Sequence, residues 1–80
     1  MTKLSKACGI VVRRRRQALG FSQEELADRA DLHRTYISLI ERGLRSVSVE
    51  TIFKLAKGLN TTGSQLLEDI EGENKEALEQ

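Results

Sequence analysis

Apolar residues recur at helical spacing along nearly the whole chain, and nowhere do they alternate long enough to form a strand. The only β-branched clusters, Ile10-Val11-Val12 and Val47-Ser48-Val49, are short and sit beside strong helix signals. The pattern predicts an all-α chain of five helices joined by short loops. Two of them, read from Phe21-Ser22-Gln23-Glu24-Glu25-Leu26-Ala27 and Thr35-Tyr36-Ile37-Ser38-Leu39-Ile40-Glu41-Arg42-Gly43, flank a two-residue break at Asp31-Leu32. The second turns small, polar and basic side chains outward, which suits a helix laid into a DNA groove.

Helix 1 is expected from about Ser5 to Leu19, with Cys8, Val12, Arg15 or Arg16, and Leu19 inward and Gly20 as its stop. Ser22 caps helix 2, and Glu25 three residues on completes a capping box. Leu26, Ala27 and Ala30 form its buried face, the alanines letting another helix approach closely. Helix 3 runs from about Arg34 to Arg42, stopped by Gly43, with Ile37 and Ile40 inward and Tyr36 at one edge. Ser48 announces helix 4, whose stripe is Ile52, Leu55, Ala56 and Leu59, ended by Gly58 or Asn60. Helix 5 begins after Thr61 or Thr62 and runs to about Ile70. Residues 1–72 then make one domain and 73–80 a polar, acidic tail.

Size and composition narrow the class. Eighty residues make one core, and a chain this short buries only about 60–65% of its extended surface, so association into a dimer is plausible on energetic grounds. Apolar content of 39% and charged content of 31% are those of a folded globular chain. No apolar run approaches the ~18 residues of a membrane span, and no signal-peptide core is present. The single Cys8 rules out an internal disulfide framework and reads as a small buried hydrophobe in a reducing cytosol.

The net charge of +1 hides a division. Residues 1–45 carry ten Lys/Arg against five acids, a balance of +5, and residues 46–80 carry three Lys against seven acids, a balance of −4. A polyanion would be met by the first half and repelled by the second. One His, one Cys, no Gly-rich phosphate loop and no clustered carboxylates leave no catalytic residues to nominate, and a metal site lacks ligands. Three scattered aromatics, Phe21, Tyr36 and Phe53, form no stacking platform for single strands or RNA.

The run from about Val12 to Leu67 resembles the Xre/Cro–cI-like helix-turn-helix domain of phage repressors and small bacterial regulators. The residues that carry the resemblance are Ser22-Gln23-Glu24-Glu25-Leu26-Ala27, Tyr36-Ile37-Ser38, Ile40-Glu41-Arg42-Gly43 and the Ser48 to Leu59 helix. Small size and the stretch from Asp31 to Ser38 make it most like restriction-modification controller proteins. One position departs from the pattern: the turn residue after Ala30, commonly glycine in the family, is Asp31. Aspartate tolerates the left-handed conformation, so the turn is expected to survive.

Base reading is expected from the first residues of helix 3, which project farthest into a major groove. Arg34 can donate two parallel hydrogen bonds to a guanine edge, Thr35 can offer hydroxyl or methyl, Ser38 lies one turn along, and Leu39 is an apolar residue for a thymine methyl. The resemblance makes Arg34, Thr35 and Tyr36 the lead contacts and extends them to Arg45; Tyr36 also reads as a ring sealing the packing of helices 2 and 3. Phosphate contacts are assigned to Gln23, with Ser22 beside it, to His33 and Arg42, and to Ser46 and Ser48 in the loop after helix 3. By resemblance, Arg16 and Glu41 form a buried structural ion pair. Arg13, Arg14 and Arg15 could supply distant attraction for phosphate, but read by default as a solvated helix face. Leu66, Leu67 and Ile70 exceed what one small core can hold and are assigned to a dimer seam.

The function expected is sequence-specific binding of double-stranded DNA by a homodimer on an inverted repeat, regulating transcription. The resemblance implies control of the chain's own promoter and of a restriction-modification operon. Its partners are then operator DNA and a second copy, with RNA polymerase a further candidate, in a bacterial or phage cytoplasm. No cofactor, membrane or small-molecule ligand is expected. The alternative is an antitoxin or phage or plasmid repressor that chiefly binds a protein partner, a role the acidic tail would favour.

Overall fold

The computed structural model describes residues 2–79, with side chains through residue 75. Its elements are α1 (Lys3–Ala18), α2 (Gln23–Ala30), α3 (Arg34–Glu41), α4 (Val49–Gly58) and α5 (Gly63–Glu79). Hydroxyl caps set four of the starts. Thr2 accepts from the Ser5 N–H, Ser22 from Glu25, Ser48 from Thr51 and Thr62 from Gln65, all at 3.0 or 3.1 Å. The capping box at α2 is half formed, because the Glu25 carboxylate turns to Arg29 at 3.1 Å.

Left-handed residues end the helices where the sequence placed them. Asp31 takes φ 57° and ψ 48°, so the turn between α2 and α3 survives without glycine. The Leu32 N–H then bonds the Ala27 carbonyl at 2.9 Å, and Leu32 packs against the core. Gly20, Gly43 and Asn60 carry the other positive φ angles.

The core is drawn from all five helices: Ala7, Cys8, Val11 and Val12 of α1, Leu26, Ala27 and Ala30 of α2, Ile37 and Ile40 of α3, Ile52, Leu55 and Ala56 of α4 followed by Leu59, and Leu66 and Ile70 of α5. Here α1 packs against α3 and α5, α2 against α3 and α4, and α4 against α5. Burial pushes the Cys8 thiol up to about 11, keeping it neutral. The close approach expected at the alanines of α2 is made by Gly58, where an added Cβ would come within 3.0 Å of the Ala30 Cβ.

Three expectations are corrected. Leu19 is the C-cap of α1 and 39% exposed, so the inward stripe is completed by Ala7 and Val11 instead. Helix α5 does not stop near Ile70 but runs through Gly72 to Glu79. Its inward stripe passes from Leu66 and Ile70 to Asp69 and Glu73, which pair with Arg15 at 2.6 Å and Arg14 at 2.9 Å. Of the three arginines read as a solvated face, Arg15 is therefore drawn onto α5, while Arg14 keeps 58% exposure in its pair with Glu73. Leu66 and Ile70, assigned to a dimer seam, lie inside the core at 0% and 5% exposure, since the α1–α4 layer leaves a slot that α5 fills; Leu67 alone stays outside.

Two features fix α3 from behind. Gly9 lets α1 cross directly on the end of α3: a Cβ there would lie 2.7 Å from the Glu41 carbonyl oxygen and closer still to that of Ile40. Glu41 receives Arg16 through two hydrogen bonds, Nε to Oε2 at 2.6 Å and Nη2 to Oε1 at 2.9 Å, while Arg16 Nη1 holds the Phe21 carbonyl at 2.8 Å. Gln23 Nε2 adds a third bond to Glu41 at 3.1 Å. The hydrogen bond to Glu41 raises the Arg16 pKa above its ordinary value, against the opposing effect of burial.

Replacing Gly9 by Ala forces backbone apart and should cost about 1–3 kcal/mol in urea unfolding; an unchanged midpoint would show that the crossing has room. Glu41→Ala strands the Arg16 charge and should cost about 3–5 kcal/mol. The double change Arg16→Met with Glu41→Leu should lose much less. Equal losses in the two variants would mean that the charge pair is not what holds these elements.

Candidate nucleic-acid interface

Anchoring α3 by its C-terminal end leaves one edge free. At about 100° per residue, Arg34, Thr35, Ser38 and Arg42 fall within about a quarter turn, while Ile37 and Ile40 point into the core. Arg34, Thr35 and Arg42 are exposed, and Ser38 and Leu39 are half-buried. The residues expected to read bases are thus brought to one side, with Leu39 at its margin and Arg42 at its far end, as the C-cap.

Tyr36 stands elsewhere. Helical geometry puts it roughly 160° round from Arg34, half-buried against the core. There its ring lies under the Arg45 guanidinium, 5.2 Å from carbon to ring centre. Such a cation over a ring face is attracted by the ring quadrupole. Tyr36 therefore lies off the recognition edge, where it steadies Arg45 in the loop between α3 and α4.

At its start, α3 differs from the other helices. His33 occupies the N-cap and makes no side-chain cap bond, so no side chain claims the first-turn N–H groups. Those groups and the positive end of the helix dipole are free for an anion. The sequence reading places His33 here as a phosphate contact, and a histidine where serine, threonine, aspartate or asparagine usually stands is what leaves the first turn uncapped.

The phosphate candidates divide by what their hydrogens already do. The Ser22 hydroxyl accepts from Glu25 and keeps its own proton to donate. Gln23 spends one amide hydrogen on Glu41 and keeps the other. Arg42 and Ser46 are exposed. Ser48 differs: it accepts from the Thr51 N–H and donates to Thr51 Oγ1, both at 3.1 Å. Its proton is committed, so as a phosphate donor Ser48 is corrected to a cap.

Several cations are neutralised within the protein. Arg14, Arg15 and Arg16 have carboxylate partners, and Arg29 pairs with Glu25 while lying over the Phe21 ring at 4.3 Å. Arg34, Arg42 and Arg45 have none among the described residues, and neither do Lys3, Lys6 and Arg13 of α1.

Comparison with known proteins agrees with this geometry. Residues 12–66 match the family described as Helix-turn-helix. Control protein C.BamHI of Bacillus amyloliquefaciens is 55% identical over 47 residues, which span 59% of this chain and 58% of that protein. Control protein C.MunI of a Mycoplasma species is 46% identical over 59 residues, 74% of this chain and 80% of its own. The restriction-modification controller protein C.Esp1396I, solved as a tetramer in complex with its natural 35 base-pair operator, superimposes with a TM-score of 0.84 at 31% identity, covering 92% of this chain and 97% of that one. With five helices, a left-handed turn at Asp31 and an open recognition edge, the chain belongs to the helix-turn-helix family, among the control proteins of restriction-modification systems.

Proposed function

We propose that the protein regulates transcription by binding a specific double-stranded operator as a homodimer, controlling its own promoter and a restriction-modification operon. The observation that carries this reading is the free edge of α3, whose other side is locked by Glu41 and Gly9. Arg34 is the principal base reader, with Thr35, Ser38 and Leu39 along the edge, and Arg45 placed over Tyr36. Ser22, Gln23, His33, Arg42 and Ser46 hold the backbone on either side. The protein acts without catalysis, in the cytoplasm; among the described residues no helix is long and apolar enough to cross a membrane.

The second copy needs a surface, and with Leu66 and Ile70 inside the core it must be built around Leu67. Leu4, Val49 and Leu67, exposed by 56%, 73% and 50%, rim a groove of about 250 Å³ floored by Cys8, Ile52 and Ile70. Phe53, 59% exposed, stands one turn from Val49. A two-fold axis through this patch uses the same surface from both copies and closes the assembly. It also sets two recognition helices about 34 Å apart, one turn of duplex. The tetramer reported for C.Esp1396I on its operator supports assembly on DNA.

Dimerisation and operator occupancy together form a dose-dependent switch. The rival is a module that binds a protein through its acidic end, of which Asp69 and Glu73 are engaged by Arg15 and Arg14 within the chain.

Selection from a random duplex library at fixed salt should recover an inverted repeat. On that duplex Arg34→Ala should weaken binding roughly 5- to 150-fold, the 1–3 kcal/mol of one bidentate contact, with little change on a scrambled duplex. Equal losses on both would remove Arg34 from base reading. Gln23→Ala should weaken both alike. Leu67→Asp should convert a sedimenting dimer to monomer with α-helical circular dichroism intact; an undisturbed dimer would place the seam elsewhere.

A further inference from the structure

We infer that the outward stripe of α1, Lys3, Lys6 and Arg13, is a second DNA-contacting surface that grips phosphates flanking the segment read by α3. This rests on the DNA-binding reading above and assigns it a further set of contacts.

The sorting of α1's cations is the first observation. Six basic residues lie on this helix, and the structure separates them into two groups. Arg14 and Arg15 turn to α5 and Arg16 turns to α3, each meeting a carboxylate oxygen at 2.9 Å or less. Lys3, Lys6 and Arg13 are exposed and have no carboxylate within 4.0 Å among the described residues. A run of four arginines that looks uniform in sequence is therefore three structural charges and one free one.

Position is the second. Lys3, Lys6, Ile10 and Arg13 fall within about 80° of the helix circumference and span about 15 Å of its length. No acid interrupts them. The stripe borders the face that packs on α3: at Gly9 the helix lies on the Ile40 and Glu41 carbonyls, and at Lys6 its backbone and side chain lie on Gly43, whose added Cβ would be 3.0 Å from Lys6 Cγ. Gly43 follows Arg42 directly, so the Lys6 side chain leaves the helix beside the neighbour of a residue already assigned to phosphate. From there the stripe leads away from the recognition edge, toward duplex beyond the half-site.

An ammonium that keeps its hydration and has no internal partner gives up little when it meets a phosphate, and each phosphate so neutralised releases condensed counterions. A paired guanidinium must first break its bond. This difference separates Lys6 and Arg13 from Arg14 and Arg15 as contributors to affinity. The stripe carries no sequence information, because it touches only the DNA backbone.

The test is the salt dependence of binding to the selected operator extended by flanking duplex. In a double variant, Lys6→Gln with Arg13→Gln, the slope of log K against log salt for the dimer should fall by about 3.6, or 0.9 for each of the four phosphates left without its cation. A control with the same change in net charge, Lys57→Gln with Lys75→Gln, should keep the parent slope. Glutamine preserves helix propensity, and matching thermal unfolding curves establish that both variants fold. A stripe variant with the parent slope, or a control that falls as far, overturns the inference while leaving operator binding intact. A parent chain that binds no duplex overturns the DNA-binding reading itself.

Discussion

A single buried carboxylate holds the reading helix in place. The Glu41 side chain is only 3% exposed, at the last residue of α3, and it draws Arg16 from α1 and Gln23 from the start of α2 onto its two oxygens. Burying that charge is costly, and it is tolerated because Arg16 matches it with two parallel bonds. The consequence is geometric. Two helices converge on α3, and α1 lies so close that only glycine fits at position 9. The edge from Arg34 to Arg42 stays exposed and is what α3 offers to a partner.

The same network reaches a proposed phosphate contact. Gln23 is held by Glu41 with one amide hydrogen and keeps the other free, so the proposed reading helix and the proposed gripping residue share one anchor. A base-reading edge must be rigid to discriminate, because discrimination depends on both hydrogen bonds of a bidentate pair being in register. Fixing α3 through a charged network achieves this in a chain too small for a deep core. Loop residues are placed by weaker means, Arg45 by its position over Tyr36 and Val47 by partial burial against the core.

Much of the fold was legible because the helices are punctuated by local chemistry. Ser22 and Ser48 cap where hydroxyls should, and Gly20, Gly43 and even Asp31 turn left-handed where a stop was needed. What escaped the sequence was decided by contacts between distant residues. Gly72 looks like a terminator, yet α5 continues through it, because Asp69 and Glu73 find arginines more than fifty positions away. Leu66 and Ile70 looked surplus only until a slot between α1 and α4 could be seen to receive them. At the site, the outward edge from Arg34 to Arg42 followed from periodicity alone. The commitment of the Ser48 proton, the bare start of α3 at His33 and the Arg45–Tyr36 stack depend on side-chain placement that spacing does not encode.

The most direct measurement is a nuclear magnetic resonance titration of the isotope-labelled protein with the selected operator duplex. Backbone amides of Arg34, Thr35, Ser38 and Arg45 should shift most, with those of Ser22 and Gln23 following. The Arg16 Nε resonance should persist unchanged, because the anchor is already made in the free protein. Shifts confined to α4 and α5, with the α3 signals undisturbed, would contradict the assignment of α3 as the element that meets DNA.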